Sequence, residues 1–312
     1  MEANNSQVRI LAQGQVEVPA GKIHFLFLPG RDIFKRRAER FRSLSSSHPL
    51  GDYFSFLALL SDAQQKALDR ASAPSLPDAS KQALCRETGM PLLDCRTLQR
   101  DPTWVQGLEM ILMQIKGKPS LTHTANDTVT GLMQADETLL EKKADRILAG
   151  DLADISPGEL PFIAAALQVY WVHMATLLGG NAFGRTQQGG LCPVCGSPPG
   201  AGIIDASGEQ QGLRYLCCSL CSSQWHMVRL KCSSCESTGE VMFYAIEGSN
   251  GAVKAEGCGA CNIYQKLFYL EKDPLMETMA DDLATIALDM MMDKEGYMRG
   301  GPNLFFHPGR LH

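Results

Sequence analysis

The feature that most constrains this chain is a repeated pattern of cysteines in its C-terminal half. Eight of its eleven cysteines occur as four Cys-x-x-Cys pairs, which are Cys192/Cys195, Cys218/Cys221, Cys232/Cys235 and Cys258/Cys261. The first two pairs recur 40 positions later as the second two, as the step from Cys192 to Cys232 illustrates. An internal repeat of this size predicts two copies of one small structural unit in tandem.

Each copy of the repeat carries the ligands for one metal ion. Two cysteines separated by two residues can turn both sulfur atoms toward one point, and two such pairs supply the four thiolates of a tetrahedral soft-ligand site. The 22 residues between the pairs, 196–217 and 236–257, are enough for two short strands, so we predict a knuckle, a hairpin and a second knuckle in each copy. The predicted ligands are Cys192, Cys195, Cys218 and Cys221 for one ion, and Cys232, Cys235, Cys258 and Cys261 for the other.

Other uses of these cysteines fit the pattern less well. Disulfides are unexpected, because the N-terminus lacks the basic start and apolar core of a secretory signal and a reducing compartment favours metal binding. A thioredoxin-like redox role suits one pair but not four in strict repeat. Cys217 competes with Cys218 as a ligand, but only Cys218 has a cysteine 40 positions later. Cys85 and Cys95 have no partner at metal-binding spacing and are interpreted as small buried residues.

The first half of the chain has the periodicity of helices. The most apolar segment, 158–178, is long enough for a membrane span, but Gln168 and His173 lie in its middle. We therefore predict a central core helix there and no membrane insertion. After Tyr269 the helical pattern returns, and it predicts one more helix that opens at Asp273. The helices predicted before 158–178 lie near 31–47, 52–70, 80–88, 101–115, 120–133 and 136–149.

These patterns predict an α+β protein in three segments. Residues 1–186 form an all-helical N-terminal domain after an irregular lead-in over 1–30, in which Ile23 to Leu28 are apolar enough to dock on the body. Residues 187–272 form a tandem module of rubredoxin-like or zinc-ribbon metal-binding units, since the run CPVCG is similar to such a knuckle. Residues 273–312 form a C-terminal helix and an irregular tail. A length of 312 residues, 45% of them apolar and 20% charged, is typical of a soluble protein with about two domains.

No arrangement of residues points to catalysis. The sequence lacks a phosphate-cradling glycine loop, an HExxH helix and a nucleophile elbow, and its seven histidines are scattered. The remaining classes are an adaptor with structural metals, an electron carrier and a nucleic-acid binder. Nucleic-acid binding needs a basic footprint, whereas positions 191–269 hold five basic and six acidic residues and the net charge of the chain is −5. We therefore expect neither enzyme activity nor a nucleic-acid partner.

A series of longer motifs identifies a family. The chain contains, in this order, RRAERFRSLSSSHPLGDYFSFLALLSDAQ, PFIAAALQVYW, CPVCGSPP, GLRYLCCSLCSSQWHMVRLKCSSCES, KAEGCGAC and EKDP followed by ADDLA. The series closely resembles the formate dehydrogenase accessory protein family (FdhE). The resemblance runs from the basic helix near 31–47 to the last predicted helix, and both the order and the motifs are specific.

The resemblance implies a cytoplasmic accessory protein that is needed to produce active respiratory formate dehydrogenase. Such a protein would bind the catalytic subunit of that enzyme during maturation, before export, and would not be part of the finished enzyme. The metal-binding cysteine pairs of the family fall on the eight cysteines named above. The implied cofactor is iron, two ions per chain in rubredoxin-like sites, although zinc fits the same ligands and their spacing does not separate the two metals.

The sequence leaves several alternatives open. A rubredoxin-like electron-transfer protein is one alternative to an adaptor, and a zinc-ribbon nucleic-acid-binding protein is another. The oligomeric state has no signal in the sequence. The helix that begins near residue 31 has a basic face, which is interpreted as a solvated face or as a docking surface for an acidic or polar partner. That face contains Arg31, Lys35, Arg36, Arg37, Arg40 and Arg42.

Overall fold

The computed structural model describes residues 8–11, 23–205 and 212–307 of the chain. A helical region over Ile33–Leu178 precedes a sheet that contains the cysteine repeat, and two short helices follow the sheet. The fold is therefore α+β with a helical N-terminal region, as the sequence predicts.

The helical region closely follows the periodicity of the sequence. Its central element is the helix Leu160–Leu178, which is apolar on all sides. This helix is long and apolar enough to cross a membrane, but 83% of its apolar window is buried inside the fold. A helix that is apolar all round is typical of a core, so the prediction of a central core helix is confirmed. In chain order the helices are α1 (Ile33–Ser45), α2 (Gly51–Arg70), α3 (Ala79–Thr88), α4 (Thr103–Ile115), α5 (His123–Gln134), α6 (Glu137–Ala149) and α7 (Leu160–Leu178).

The cysteine repeat folds into two similar halves of one sheet. In each half an antiparallel pair of strands is followed, after the second cysteine pair, by a third antiparallel strand. Parallel pairing of the first strand of one half with the last strand of the other joins the two halves. The strands of the first half are β3 (Pro199–Ile204), β4 (Arg214–Cys218) and β5 (Gln224–His226), and those of the second are β6 (Val241–Ile246), β7 (Val253–Cys258) and β8 (Ile263–Tyr269).

The irregular lead-in predicted for residues 1–30 is wrong for two of its described segments. Strands β1 (Val8–Leu11) and β2 (Leu26–Phe27) pair antiparallel with β6 and β5, so the N-terminal segment supplies both ends of the strand path. Main-chain groups extend this contact, since the N–H of His226 donates to the carbonyl of Phe25 at 2.9 Å. Strands this short, held at a sheet edge by their backbone, leave little side-chain periodicity to detect. The rest of the lead-in before Ile23 lies outside the described residues.

The single helix predicted after Asp273 is two helices. The first helix ends just before Thr285. There the buried ammonium of Lys266 donates to the carbonyls of Asp282 at 2.8 Å and Thr285 at 3.2 Å. These bonds satisfy carbonyl groups at the end of the first helix, so that the helix can stop there. The elements of this region are α8 (Thr278–Ala284), α9 (Ile286–Lys294) and β9 (Met298–Arg299), which pairs parallel with β8.

Helix α1 turns part of its basic face inward. The buried guanidinium of Arg37 donates to Glu277 at 3.0 Å and to Gln168 of α7 at 3.0 Å. Arg40 forms an ion pair with Asp281 of α8 at 2.5 Å. Two of the six basic side chains are therefore turned into the fold, a third, Arg42, pairs with Asp62 of α2 at the surface, and the docking surface considered for this helix is reduced to the exposed ones. Those are Arg31, Lys35, Arg36 and Arg42.

Candidate metal centres

The eight paired cysteines lie in two groups of four. Within each group the sulfur atoms are all within 4.8 Å of one another. The sequence predicts this grouping, in which the two pairs of one repeat copy face each other. We call the groups the first cluster (Cys192, Cys195, Cys218 and Cys221) and the second cluster (Cys232, Cys235, Cys258 and Cys261).

The distances between facing sulfurs fit a tetrahedral metal site. In the first cluster the Sγ atoms of Cys192 and Cys221 are 3.5 Å apart and those of Cys195 and Cys218 are 3.3 Å apart. The corresponding distances in the second cluster are 3.7 Å and 3.6 Å. Four sulfurs around one ion at about 2.3 Å lie about 3.8 Å from one another, whereas a disulfide requires about 2.0 Å. Each cluster could therefore hold one ion after a small adjustment.

All four knuckles share one backbone conformation. The residue directly after each Cys-x-x-Cys pair has a positive φ, and its N–H donates to the carbonyl of the first cysteine at 2.8–3.1 Å. This turn brings the two sulfurs of a pair together. The sequence signals this turn plainly only at Gly196, although asparagine tolerates the conformation better than serine or glutamate among the residues at the other three positions. They are Ser222 (φ 56°), Glu236 (φ 62°) and Asn262 (φ 55°).

Backbone N–H groups point at the sulfur atoms inside the knuckles. The amides of Leu220 and Cys221 both donate to the Sγ of Cys218 at 3.4 Å. In the second cluster the amide of Ser234 donates to the Sγ of Cys232 at 3.3 Å. Donors aimed at sulfur stabilise the thiolate form, which is the form that binds metal.

Two serine hydroxyls form an outer layer around the first cluster. The hydroxyl of Ser197 lies 3.4 Å from the Sγ of Cys195 and 3.3 Å from that of Cys95, and the hydroxyl of Ser223 lies 3.3 Å from the Sγ of Cys221. Such contacts orient ligands before an ion binds. The sequence analysis missed both serines, although each stands two positions after the second cysteine of a knuckle.

The environments of the two clusters differ. All four cysteines of the first cluster are buried and belong to the main apolar core of the helical region. Its knuckle is also hydrogen-bonded to the segment between α3 and α4, where the amides of Leu93 and Cys95 donate to the carbonyls of Val194 and Cys195, each at 2.9 Å. The side-chain amide of Gln168 in α7 donates to the carbonyl of Ser219 at 2.7 Å. The helical region therefore encloses the first cluster.

The second cluster lies at the surface of the fold. Cys232 and Cys258 are buried, whereas Cys261 is half-buried and Cys235 is exposed. None of the four belongs to the main core. The second half of the sheet and the linker before Leu191 lie close to it; for example, the carboxylate of Glu236 accepts a hydrogen bond from the amide of Gly189 at 3.0 Å.

The most buried and the most exposed of these thiols titrate differently, although burial also raises the pKa of Cys232 and Cys261 in the second cluster. Burial, with a smaller contribution from neighbouring thiols, raises the pKa of Cys192 well above its ordinary value. At Cys235 the pKa is instead lowered, chiefly by a hydrogen bond from the backbone of Ser237. Four buried sulfurs in contact cannot all ionise without a cation among them, so the thiolate form of this set would need a metal ion as its partner.

The three remaining cysteines lie outside both clusters, as the sequence predicts. All eleven cysteines are free thiols. Cys217 is buried next to Cys218, but its sulfur is directed to the carbonyl of Tyr215 at 4.0 Å. Cys95 is buried against the first cluster, and burial raises its pKa to about 12. It is therefore a neutral thiol beside the cluster, a proximity that sequence spacing does not reveal.

Comparison with known proteins places the chain in one family along nearly its whole length. Three family models match in succession, described as FdhE, N-terminal (residues 23–187), FdhE, central domain (191–229) and FdhE, C-terminal domain (230–306). The chain belongs to the FdhE family. The boundary between the central and C-terminal models falls between the two copies of the cysteine repeat.

Individual relatives agree with this assignment. A protein named FdhE from Salmonella typhimurium is 41% identical over 288 residues, which cover 91% of both chains. An FdhE homolog from an Enterobacter species is 42% identical over the same length. Among solved structures, the crystal structure of the FdhE protein from Pseudomonas aeruginosa matches with a TM-score of 0.85 at 38% identity, covering 92% of this chain and all of that one. The FdhE fold therefore extends over both clusters and the helical region.

Proposed function

We propose that this protein is an accessory protein of respiratory formate dehydrogenase, which binds the catalytic subunit in the cytoplasm during maturation and before export. The observation that carries the proposal is membership of the FdhE family over 91% of the chain. The protein would act by binding and not by catalysis, since neither cluster leaves a nucleophile free once its four sulfurs hold an ion.

We also propose that each cluster binds one metal ion, iron as the family resemblance implies or zinc. When bound, iron in a tetrathiolate site can exchange one electron, whereas zinc is redox-inactive and serves structure alone. The chain's own contribution is the same for either metal. The knuckle amides stabilise the thiolates, and the hydroxyls of Ser197 and Ser223 orient the sulfurs of the first cluster.

Two other functions differ in their support. Electron transfer by a rubredoxin-like centre is favoured by the exposure of Cys235, because a redox centre must come close to its partner. Nucleic-acid binding is disfavoured because basic residues around the clusters are already engaged in ion pairs within the protein. Arg214 and Lys266 are buried in ion pairs with acidic residues, and Lys231 pairs with Glu236 at 2.7 Å.

The decisive experiment combines metal analysis with binding. The protein is purified anaerobically, its iron and zinc are measured together with its visible absorption, and its association with the purified catalytic subunit is measured by size-exclusion chromatography and calorimetry. We expect two ions per chain and a complex at about micromolar concentration or tighter. Failure to bind the catalytic subunit, with tight binding of RNA or DNA at physiological salt, would overturn the adaptor function. Redox-silent zinc in both sites would eliminate electron transfer.

The exposed part of the α1 face offers a sharper test of the binding surface. Reversing two exposed charges, Lys35→Glu with Arg36→Glu, should weaken the complex by about tenfold if an acidic region of the catalytic subunit docks there. The matched control is Lys116→Glu with Lys118→Glu, which changes the net charge equally at exposed positions beyond α4. Equal effects of the two double variants would show that α1 is not the contact.

A further inference from the structure

The second cluster borders a cavity at the junction of the two repeat copies. The cavity has a volume of about 400 Å³, and exposed Cys235 is part of its wall. On its other sides lie Leu191 and Pro198, which flank the first knuckle of the first copy, and Gln188 in the linker that precedes it. A space of this volume is in the range that small molecules occupy in proteins.

The walls of the cavity are fixed by close backbone contacts. A Cβ atom at Gly190 would lie only 1.7 Å from the carbonyl oxygen of Ser233, so the linker can approach the second cluster only with glycine there. The indole N–H of Trp225 holds the linker by donating to the carbonyl of Gly189 at 2.9 Å. The carboxylate of Glu236 accepts from the amide of Gly189 on the other side. The cavity is therefore built into the fold.

The first cluster differs in that no sulfur is exposed, although a cavity of about 370 Å³ reaches Ser222 directly after its second knuckle. Its four sulfurs are buried, and the amides of Leu93 and Cys95 cover the knuckle that contains Cys192 and Cys195. Removing an ion from this cluster requires a structural opening that exposes these buried sulfurs. At the second cluster, the exposed sulfur of Cys235 can be reached while the surrounding structure stays folded.

We propose that the cavity beside Cys235 is the port through which the second centre gains and loses its ion, and that Cys235 is the sulfur that is exchanged first. The exchanging molecule would be a small thiol or another soft-ligand chelator. The exchange is redox-neutral: the sulfur of the incoming thiol replaces that of Cys235 on the ion, and Cys235 takes up the proton that the thiol loses. The proposal rests on the metal assignment made under the proposed function, and it adds a division between an exchangeable second centre and a closed first centre.

The test is the rate of metal release from the full chain loaded with two zinc ions. The chromophoric chelator pyridylazoresorcinol is added in excess, and the release is followed by absorbance. We expect two phases of one ion each, with rates that differ by about tenfold or more, because the closed cluster opens only with a larger structural fluctuation. Added free cysteine should accelerate the fast phase alone. Alkylation of samples quenched during that phase should label Cys235 before Cys232 and Cys258.

A blocking variant and a matched control complete the test. Gln188→Trp places a large ring at the exposed wall of the cavity without changing a cysteine, and it should slow the fast phase several-fold. Ser80→Trp adds the same ring at an exposed position of α3, away from the cavity lining, and should change neither phase. Thermal unfolding checks that both variants are folded.

The outcomes separate the port from the metal assignment. Two ions released at one common rate, or a fast phase that Gln188→Trp leaves unchanged, would overturn the port while leaving metal binding intact. A wild-type chain that binds fewer than two ions would overturn the metal assignment and the port together. If the slow phase is lost in the Gln188→Trp variant, the proposal has assigned the opening to the wrong cluster.

Discussion

The two cysteine clusters have the same ligands and the same knuckle backbone, but they occupy different surroundings. The first is part of the main core and contacts the helical region through Val194, Cys195 and Ser219. The second lies outside that core, and Cys235 is exposed. The two copies of the repeat thus place one cluster where an ion would hold two regions of the protein together, and the other where an ion would be accessible.

The comparison shows that a ligand set of four cysteines does not determine the role of its site. The distances between facing sulfurs are 3.3–3.5 Å in one cluster and 3.6–3.7 Å in the other, which are nearly equal. What differs is the packing around them, which governs access of water, thiols and partners. We therefore expect loss of the first cluster to destabilise the whole chain and loss of the second to act locally.

The largest expected effect comes from removing one cysteine pair from each cluster in turn. Cys192→Ser with Cys195→Ser should prevent stable folding of the helical region, because a structural tetrathiolate site contributes on the order of 10 kcal/mol, which is comparable to the total stability of a domain. Cys232→Ser with Cys235→Ser should leave that region folded. The measurements are metal content per chain and hydrogen exchange of the α7 amides. Native protection of the α7 amides in the first variant would show that the helical region does not depend on the first cluster.

The next effect concerns the link between helices and the first cluster. Arg37 is buried between Glu277 and Gln168, and Gln168 in turn donates to the carbonyl of Ser219 in the second knuckle. Arg37→Leu leaves the carboxylate of Glu277 without its ion partner, and we expect a loss of about 3–5 kcal/mol of unfolding free energy. Denaturant titration measures it.

The control for that variant is Arg36→Leu on the same helix. Arg36 is more than half exposed and lies 3.5 Å from the similarly exposed Asp32, a pair that contributes about 0–1 kcal/mol. A loss as small for Arg37→Leu as for Arg36→Leu would show that the helical region and the first cluster are not coupled through this network.

Much of this organisation can be predicted from the sequence. The other features could not be predicted, for physical reasons. The spacing of eight cysteines predicts both clusters, and apolar periodicity predicts the helices from α1 to α7, because each is a local pattern. The inward turn of Arg37 and the break at Thr285 depend on partners more than 15 positions away, Glu277 and Lys266. The burial difference between the clusters has the same origin, since Leu93 and Cys95 cover the first cluster from a distant part of the chain.

Thiol reactivity should reproduce the difference within one sample of the metal-loaded chain, the state in which both clusters are folded. With a limiting amount of N-ethylmaleimide and peptide mapping, we expect Cys235 to react at least about 100-fold faster than Cys192, since a buried thiol reacts only after local opening. Cys217 is the internal control, because it is buried but belongs to neither cluster. Comparable labelling of Cys192 and Cys235, with Cys217 still protected, would indicate that the first cluster is as accessible as the second.

The smallest effects are expected at the left-handed residues that follow the knuckles. Gly196 has a φ of 72°, and a Cβ atom there would approach the ring of Pro91 to 3.2 Å, so Gly196→Ala adds backbone strain and a contact with the helical region. We expect a loss of about 1–2 kcal/mol. Asn262 occupies the equivalent position of the second cluster at φ 55°, and Asn262→Gly should change stability by only a few tenths of a kcal/mol.

Chemical denaturation of the metal-loaded variants tests this pair because each substitution keeps all eight ligands. Strain alone would act on the local cluster, whereas the contact with Pro91 links Gly196 to the helical region. Gly196→Ala should therefore lower the denaturation midpoint of the helices as well as that of the sheet. If Gly196→Ala shifts only the transition that reports on the sheet, the first cluster is no more integrated into the helical region than the second, and the contrast between them is limited to solvent exposure.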